Sequence, residues 1–147
     1  MSGLRFLLGV FVAVLPSWLK IPLYRSWYGY RIGSGVRIGF SPFVGVTRCE
    51  IGDGVRIGSF NLFLRIGQLE IGRHTQIGFA NLIRGGARVT IGSYVSILRL
   101  NVFNAILDGE VLKPEDSTLT LGPGAVVTTG HWLDFSARIE LDRKSVV

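Results

Sequence analysis

From Tyr30 onward, aliphatic side chains recur in a cadence that belongs to neither a helix nor an ordinary strand. One set falls at Ile32, Ile51, Ile71, Ile91, Leu121 and Leu141, with successive members 19, 20, 20, 30 and 20 residues apart. A second set runs Ile38, Ile57, Ile77, Ile97, Val127 and Val147, and a third runs Val44, Phe63, Ile83, Phe103 and Leu133. Within each repeat the aliphatic positions lie six apart, and glycine follows at Gly33, Gly39, Gly52, Gly58, Gly72, Gly78, Gly92 and Gly122. A helix is excluded, because each glycine costs about 1 kcal/mol in a helix interior and the aliphatic positions do not keep the helical period. Short strands joined by tight corners fit instead. Glycine supplies the backbone freedom the corners need, and the small residues Val36, Val55, Thr75, Val95 and Ala125 fit the crowded inside of a corner. Three columns per repeat predict a three-sided coil whose turns rest on one another at the strand spacing of about 4.8 Å. A single turn has nothing to bury its inner face against except a copy of itself, which is why the chain repeats.

One column is polar. Pro42, Asn61, Asn81, Asn101 and His131 each lie four residues after a second-column aliphatic. Stacked asparagines hydrogen-bond along a ladder and to corner backbone, which makes Asn61, Asn81 and Asn101 structural. Pro42 suits the opening position, where a corner tolerates its fixed φ and missing N–H. The long interval between Ile91 and Leu121 hides an insertion at about residues 104–118, NAILDGEVLKPEDST, with the acidic residues Asp108, Glu110, Glu115 and Asp116. Two readings of it stand: an extruded loop that carries function, or a solvated bulge.

Residues 1–29 break the pattern. The apolar run Phe6 to Leu15 has ten residues before Pro16, whereas a straight bilayer crossing needs about 20. Pro16, Ser17, Lys20 and Pro22 interrupt the segment after that run, so a membrane-associating interfacial helix fits better than a spanning one. Trp18, Tyr24, Trp27, Tyr28 and Tyr30 favour the headgroup level, with Lys20, Arg25 and Arg31 beside them to meet an anionic membrane surface. This reading places the protein in the cytoplasm, peripheral to the inner face of the membrane. The alternative is a helix that plugs the open end of the coil, since stacked repeats need caps. A secretory signal is disfavoured, because Arg5 is the sole charge before the apolar run and no small-x-small cleavage site follows it.

Charge and composition narrow the function classes. The chain has 16 Lys and Arg against 10 Asp and Glu, a net charge of +6. The surplus is uneven: residues 1–100 hold twelve basic and three acidic residues, and residues 101–147 hold four and seven. Such a surplus serves nucleic acid, anionic lipid or a phosphorylated ligand. Nucleic acid is set aside, because no recognition-module motif and no aromatic platform interleaves with the basic residues. The one cysteine, Cys49, excludes an internal disulfide framework and shares an interior column with Leu69, Val89, Leu119 and Ile139, so it is expected to be buried and inert. With only two histidines, His74 and His131, the chain lacks the three-histidine ligand set of a γ-class carbonic anhydrase, and no metal is expected.

The turns Ile51 to Gly58 and Ile71 to Gly78, of form IGxxVxIG and IGxxTxIG, resemble the hexapeptide-repeat acyltransferases. The stretches YGYRIGSGVRIGFS, SFNLFLRIGQLEIG and TTGHWLDFSARIEL are similar to a branch of that superfamily associated with polysaccharide and O-antigen synthesis, over about residue 19 to the end. The resemblance implies an all-β fold, a left-handed parallel β-helix, here of about five to six coils over residues 30–147 behind an N-terminal apolar helix. It also implies transfer of an acyl group from acetyl-CoA to a hydroxyl or amino group of a sugar or glycolipid acceptor, by homotrimers whose active sites lie between subunits. The residues alone point partway there: a prism filled with Ile, Leu, Val and Phe has no interior room for substrate, and its flat faces suit a closed threefold ring. The chain stops at RIELDRKSVV, halfway round a turn, so a truncated C-terminus with an open strand edge is expected. The resemblance implies a further histidine and much of the coenzyme surface beyond it. A catalytically inactive β-helix scaffold in a membrane-bound polysaccharide synthesis complex is therefore the alternative function.

Attack of a sugar hydroxyl on a thioester needs a base near neutral pH, for which imidazole is the natural side chain. His74, next to Arg73, reads as an outward corner residue. His131, beside Trp132 and Asp134 and after the insertion, is the better candidate, although it also continues the asparagine column. Asp134 orients that imidazole only if a corner lies between them, because a three-residue offset along a strand sends the two side chains to opposite faces. The chemistry expected is direct transfer, with backbone N–H groups stabilising the oxyanion and no covalent enzyme intermediate.

Overall fold

The computed structural model describes residues 2–105 and 117–147. Two helices, α1 (Ser2–Val14) and α2 (Ser17–Trp27), precede sixteen short strands, numbered in chain order. The strands stack into three all-parallel sheets that form the sides of a prism of about five turns, a parallel β-helix. Sheet A contains β1 (Arg31–Ile32), β4 (Arg48–Ile51), β7 (Gln68–Ile71), β10 (Arg88–Ile91), β13 (Thr118–Leu121) and β16 (Ile139–Leu141). Sheet B contains β2 (Arg37–Ile38), β5 (Arg56–Ile57), β8 (Gln76–Phe79), β11 (Ser96–Arg99) and β14 (Val126–Thr129). Sheet C contains β3 (Phe43–Val44), β6 (Leu62–Leu64), β9 (Leu82–Arg84), β12 (Val102–Asn104) and β15 (Trp132–Asp134).

The register follows the aliphatic columns. Ile32, Ile51, Ile71, Ile91, Leu121 and Leu141 pair in order up sheet A, and Ile38, Ile57, Ile77, Ile97 and Val127 pair up sheet B. The third column departs from the expectation at its first member, where Phe43 and not Val44 pairs with Phe63. The first coil is one residue shorter than its neighbours between sheets B and C, so Phe43 turns inward and its ring stacks on Phe63 at 4.5 Å and 9°. Val44 turns outward, where Gly9 of α1 sits against it so closely that a Cβ there would lie 3.0 Å from the Val44 Cγ2. The same offset makes Ser41, and not Pro42, the first member of the polar ladder.

That ladder is continuous. The Asn61 N–H donates to Ser41 Oγ (3.2 Å), the Asn81 N–H to Asn61 Oδ1 (3.1 Å) and the Asn101 N–H to Asn81 Oδ1 (3.1 Å). Each side-chain donor reaches forward to a corner carbonyl of the next coil: Ser41 to Gly58, Asn61 to Gly78, Asn81 to Leu98 and Asn101 to Thr128. All four ladder side chains are buried and fully engaged, so each coil supplies the polar partners its neighbour's corner lacks.

The repeat glycines play a different part from the one the spacing suggests. Gly33, Gly52, Gly72 and their counterparts do not take the left-handed conformation; the next coil simply passes too close for a side chain. A Cβ on Gly72 would stand 2.5 Å from the backbone of Gly92 and Ser93. The left-handed corner positions are instead often held by larger residues, among them Phe60, His74, Ala80, Tyr94 and Leu100, each with φ between 56 and 64°. Such residues cost roughly 1–2 kcal/mol apiece, which the in-register hydrogen bonds around them offset.

The helix α2 closes the first coil. Its Ser17 hydroxyl both donates to the Ile38 carbonyl and accepts from the Ile38 N–H, at 3.0 Å each, and so stands in for a missing strand. Arg25 donates to the carbonyls of Ile32 and Gly33, and the buried Lys20 ammonium donates to those of Ala13 and Gly39. Tyr24, buried, packs its ring on Tyr30 and edge-on to Phe43. The capping alternative therefore describes α2, while much of α1 remains uncommitted.

The ladder and the cap each have a measurable consequence. Asn81→Leu strands a corner carbonyl and two N–H groups in the interior and lowers stability by roughly 3 kcal/mol, read as a fall of about 6–12 °C in melting temperature. Burial pushes the Lys20 amine down to about 8 from an ordinary 10.5, so the unfolded chain holds that proton more tightly. Stability from this residue is fully present above the ordinary value and is lost as pH falls towards about 8. Chemical denaturation of the wild type and Lys20→Met in parallel across this range measures it: their difference in stability changes with pH in that direction, and a constant difference contradicts it.

Candidate functional site

His131 stands at the corner between sheets B and C, just after Gly130, whose φ of 79° turns the chain, and just before β15. Its backbone N–H donates to Asn101 Oδ1 at 3.0 Å, the next step of the asparagine ladder. Its imidazole is half-buried, with Nε2 2.9 Å from Thr128 Oγ1. The Thr128 hydroxyl also bonds the Val147 main-chain oxygen at 2.7 Å. A hydroxyl has one proton, and a main-chain oxygen only accepts, so that proton goes to Val147. The Thr128 hydroxyl is then left to accept from the imidazole, so Nε2–H donates to Thr128, and Nδ1 has no hydrogen-bond partner among the described residues.

Asp134 lies at the other end of β15, paired in register with Asn104. No corner separates it from His131, and three residues of extended chain span about 10 Å. Its carboxylate accepts the Ser136 hydroxyl (2.6 Å) and N–H (2.9 Å), and these bonds, the hydroxyl first, hold its pKa below the ordinary carboxylate value. The two candidate residues thus sit at opposite ends of one strand, each bonded to its own partner. Asn104 and Ala105 mark where the insertion leaves the coil, and Ser117, which donates to the Ser136 carbonyl, marks its return. Asp108, Glu110, Glu115 and Asp116 lie outside the described residues.

His74 occupies a different corner, between sheets A and B, with a φ of 56° and its ring stacked on Tyr94 at 5.3 Å. It is the exposed corner residue its spacing suggests. Among the described residues no three His, Cys, Asp or Glu side chains converge on one point.

Thr128 is a neighbour of the imidazole that the column pattern does not single out. Its counterparts one place after the second-column aliphatic are Gly58, Gly78 and Leu98, none of which offers a hydroxyl. The hydroxyl and the imidazole enter the repeat in the same coil, and that coincidence is the one signal of their pairing that the sequence carries. Beside them Leu98, Leu100 and Trp132 are exposed, and Phe60 is exposed at the same corner three coils earlier.

Comparison of the chain with protein-family models, with curated proteins and with solved structures finds no match. The functional reading of the chain therefore rests on its fold and local geometry.

Cys49 is paired with Leu69 inside sheet A and 5% exposed, and burial first, then the Glu50 charge, pushes its thiol up to about 12. Disulfide-exchange reagents are therefore expected to label the native protein no faster than global unfolding exposes the sulfur, and to label it at once in denaturant. Fast native labelling at neutral pH contradicts this placement.

Proposed function

We propose that this chain is an acyl-CoA-dependent acyltransferase that uses acetyl-CoA as co-substrate and acylates a hydroxyl or amino group of a sugar or glycolipid acceptor. The observation that supports it most is the placement of the His131 imidazole at a β-helix corner, with Nε2 held by Thr128 and Nδ1 without a hydrogen-bond partner among the described residues. In this reading Nδ1 takes the proton of the acceptor hydroxyl as its oxygen bonds to the thioester carbonyl carbon. Backbone N–H groups steady the tetrahedral oxyanion, the C–S bond then breaks, and the imidazolium returns its proton to the departing sulfur. Thr128, and not Asp134, orients the ring. The exposed apolar surface of Leu98, Leu100 and Trp132 beside His131 is the face on which copies of the chain meet in a homotrimer, so that the imidazole lies in the seam.

A second reading, an inactive β-helix scaffold in a membrane-bound polysaccharide synthesis complex, draws on one specific observation: the His131 N–H extends the asparagine ladder, a task any residue with an N–H performs there.

Acetyl-CoA titration by calorimetry separates the two: a saturable heat favours the enzyme, and silence from folded protein favours the scaffold. With a panel of sugar acceptors and a free-thiol assay, His131→Ala is expected to lower kcat about 10²–10⁴-fold with its melting temperature nearly unchanged. Unaltered turnover in this variant removes His131 from the reaction.

A further inference from the structure

We infer that α1 and the amino-terminal part of α2 form a docking surface that lies in the plane of an anionic phospholipid bilayer and sets the β-helix on it basic end first. Three independent observations converge here.

The first is the face itself. In α1, Gly9, Val12 and Ala13 turn towards the protein, while Leu4, Leu7, Leu8, Phe11 and Val14 are exposed at helical spacing. Trp18, 77% exposed, and Leu19 continue the surface across the Pro16 joint. Capping of the coil leaves all of these free, because the side chains that close it are Ser17, Lys20, Tyr24 and Arg25.

The second is length. The 13 residues of α1 span about 20 Å, less than the roughly 30 Å of hydrocarbon in a bilayer. Among the described residues no helix is long and apolar enough to cross a membrane. A short apolar helix joined at a proline to a second helix anchored on a folded domain lies in the interface, with Trp18 and Trp27 at headgroup depth.

The third is charge, and here the coil turns sequence order into spatial order. Because coils stack in the order in which they are written, residues 1–47, the helices and the first coil, hold five basic and no acidic residues at one end of the prism, whereas residues 117–147 hold three of each and the second coil also carries Glu50 and Asp53. Arg31 and Arg37 in the first coil, and Arg48 and Arg56 in the second, are exposed and project outward from sheets A and B. With a rise of about 4.8 Å per coil, these four lie within roughly one Debye length, about 8–10 Å, of the capped end. An acidic lipid surface complements that end; a second copy would set like charges against each other.

The test uses the full chain carrying Trp132→Phe, so that Trp18 and Trp27 report alone. The protein is expected to sediment with phosphatidylcholine vesicles containing phosphatidylglycerol and at least tenfold less with phosphatidylcholine alone, and the difference shrinks as salt rises. Tryptophan emission shifts to the blue on binding and is quenched by lipids brominated near the headgroup end of the acyl chain. Phe11→Glu, at an exposed position and so compatible with folding, lowers vesicle binding at least tenfold; Arg37→Glu with Arg56→Glu removes the preference for the anionic lipid. Absence of sedimentation overturns the inference, as does binding without bromolipid quenching. Unchanged vesicle binding by Phe11→Glu overturns it too, and if that variant instead dissolves an oligomer seen by ultracentrifugation without lipid, the face belongs to a second copy of the chain.

Discussion

Parallel hydrogen bonding between successive coils, held in one register, is the constraint on which everything else in this molecule rests. Each short strand is too small to persist alone, and its inner face acquires neighbours only when the coil above and the coil below present the same side chain at the same height. Interior hydrophobes favour that alignment, because a slip of one residue would turn them outward. The Ser41–Asn61–Asn81–Asn101 ladder favours it too, because each side-chain amide satisfies one coil backwards and a corner carbonyl forwards. A slip of one residue would leave several buried polar groups without partners, at about 1–3 kcal/mol each.

A structure built this way has two ends and no closed core, and the amino-terminal end is closed by side chains acting as substitute backbone. Ser17, Lys20 and Arg25 satisfy the first coil's polar groups, and Tyr24 covers the Phe43 and Phe63 stack. The division of labour between the helices follows from geometry: α2 crosses the opening and spends its polar side chains there, whereas α1 packs against β3 along a strip that includes Gly9. Leu4, Leu7, Leu8, Phe11 and Val14 of α1 remain apolar and outward.

The same construction dictates where chemistry can reside. With the interior filled, reactive groups must stand on the outer faces of the strands or at corners, where side chains from consecutive strands meet. His131 does so with its backbone committed to the ladder and its ring free to be held by Thr128. The ladder bond and the Thr128 bond are therefore made by different atoms of one residue.

How much of this is legible in the sequence divides along a physical line. The columns, the three faces, the coil order, the burial of Cys49 and the outward placement of His74 are legible, because each depends on spacing alone, and spacing is one-dimensional. A repeat interval of 19 in the first coil announces a shortened turn but not which corner loses the residue; the packed coils place the loss between sheets B and C, and with it come the inward turn of Phe43 and the substitution of Ser41 for Pro42 in the ladder. The close approach that excludes side chains at Gly72, the separation of His131 from Asp134 along β15 and the pairing of His131 with Thr128 likewise depend on distances between atoms in or across coils. Periodicity along the chain determined which residues stack; only the packed coils decided which of them touch, because a contact depends on the positions of both partners in space and a spacing gives their order alone.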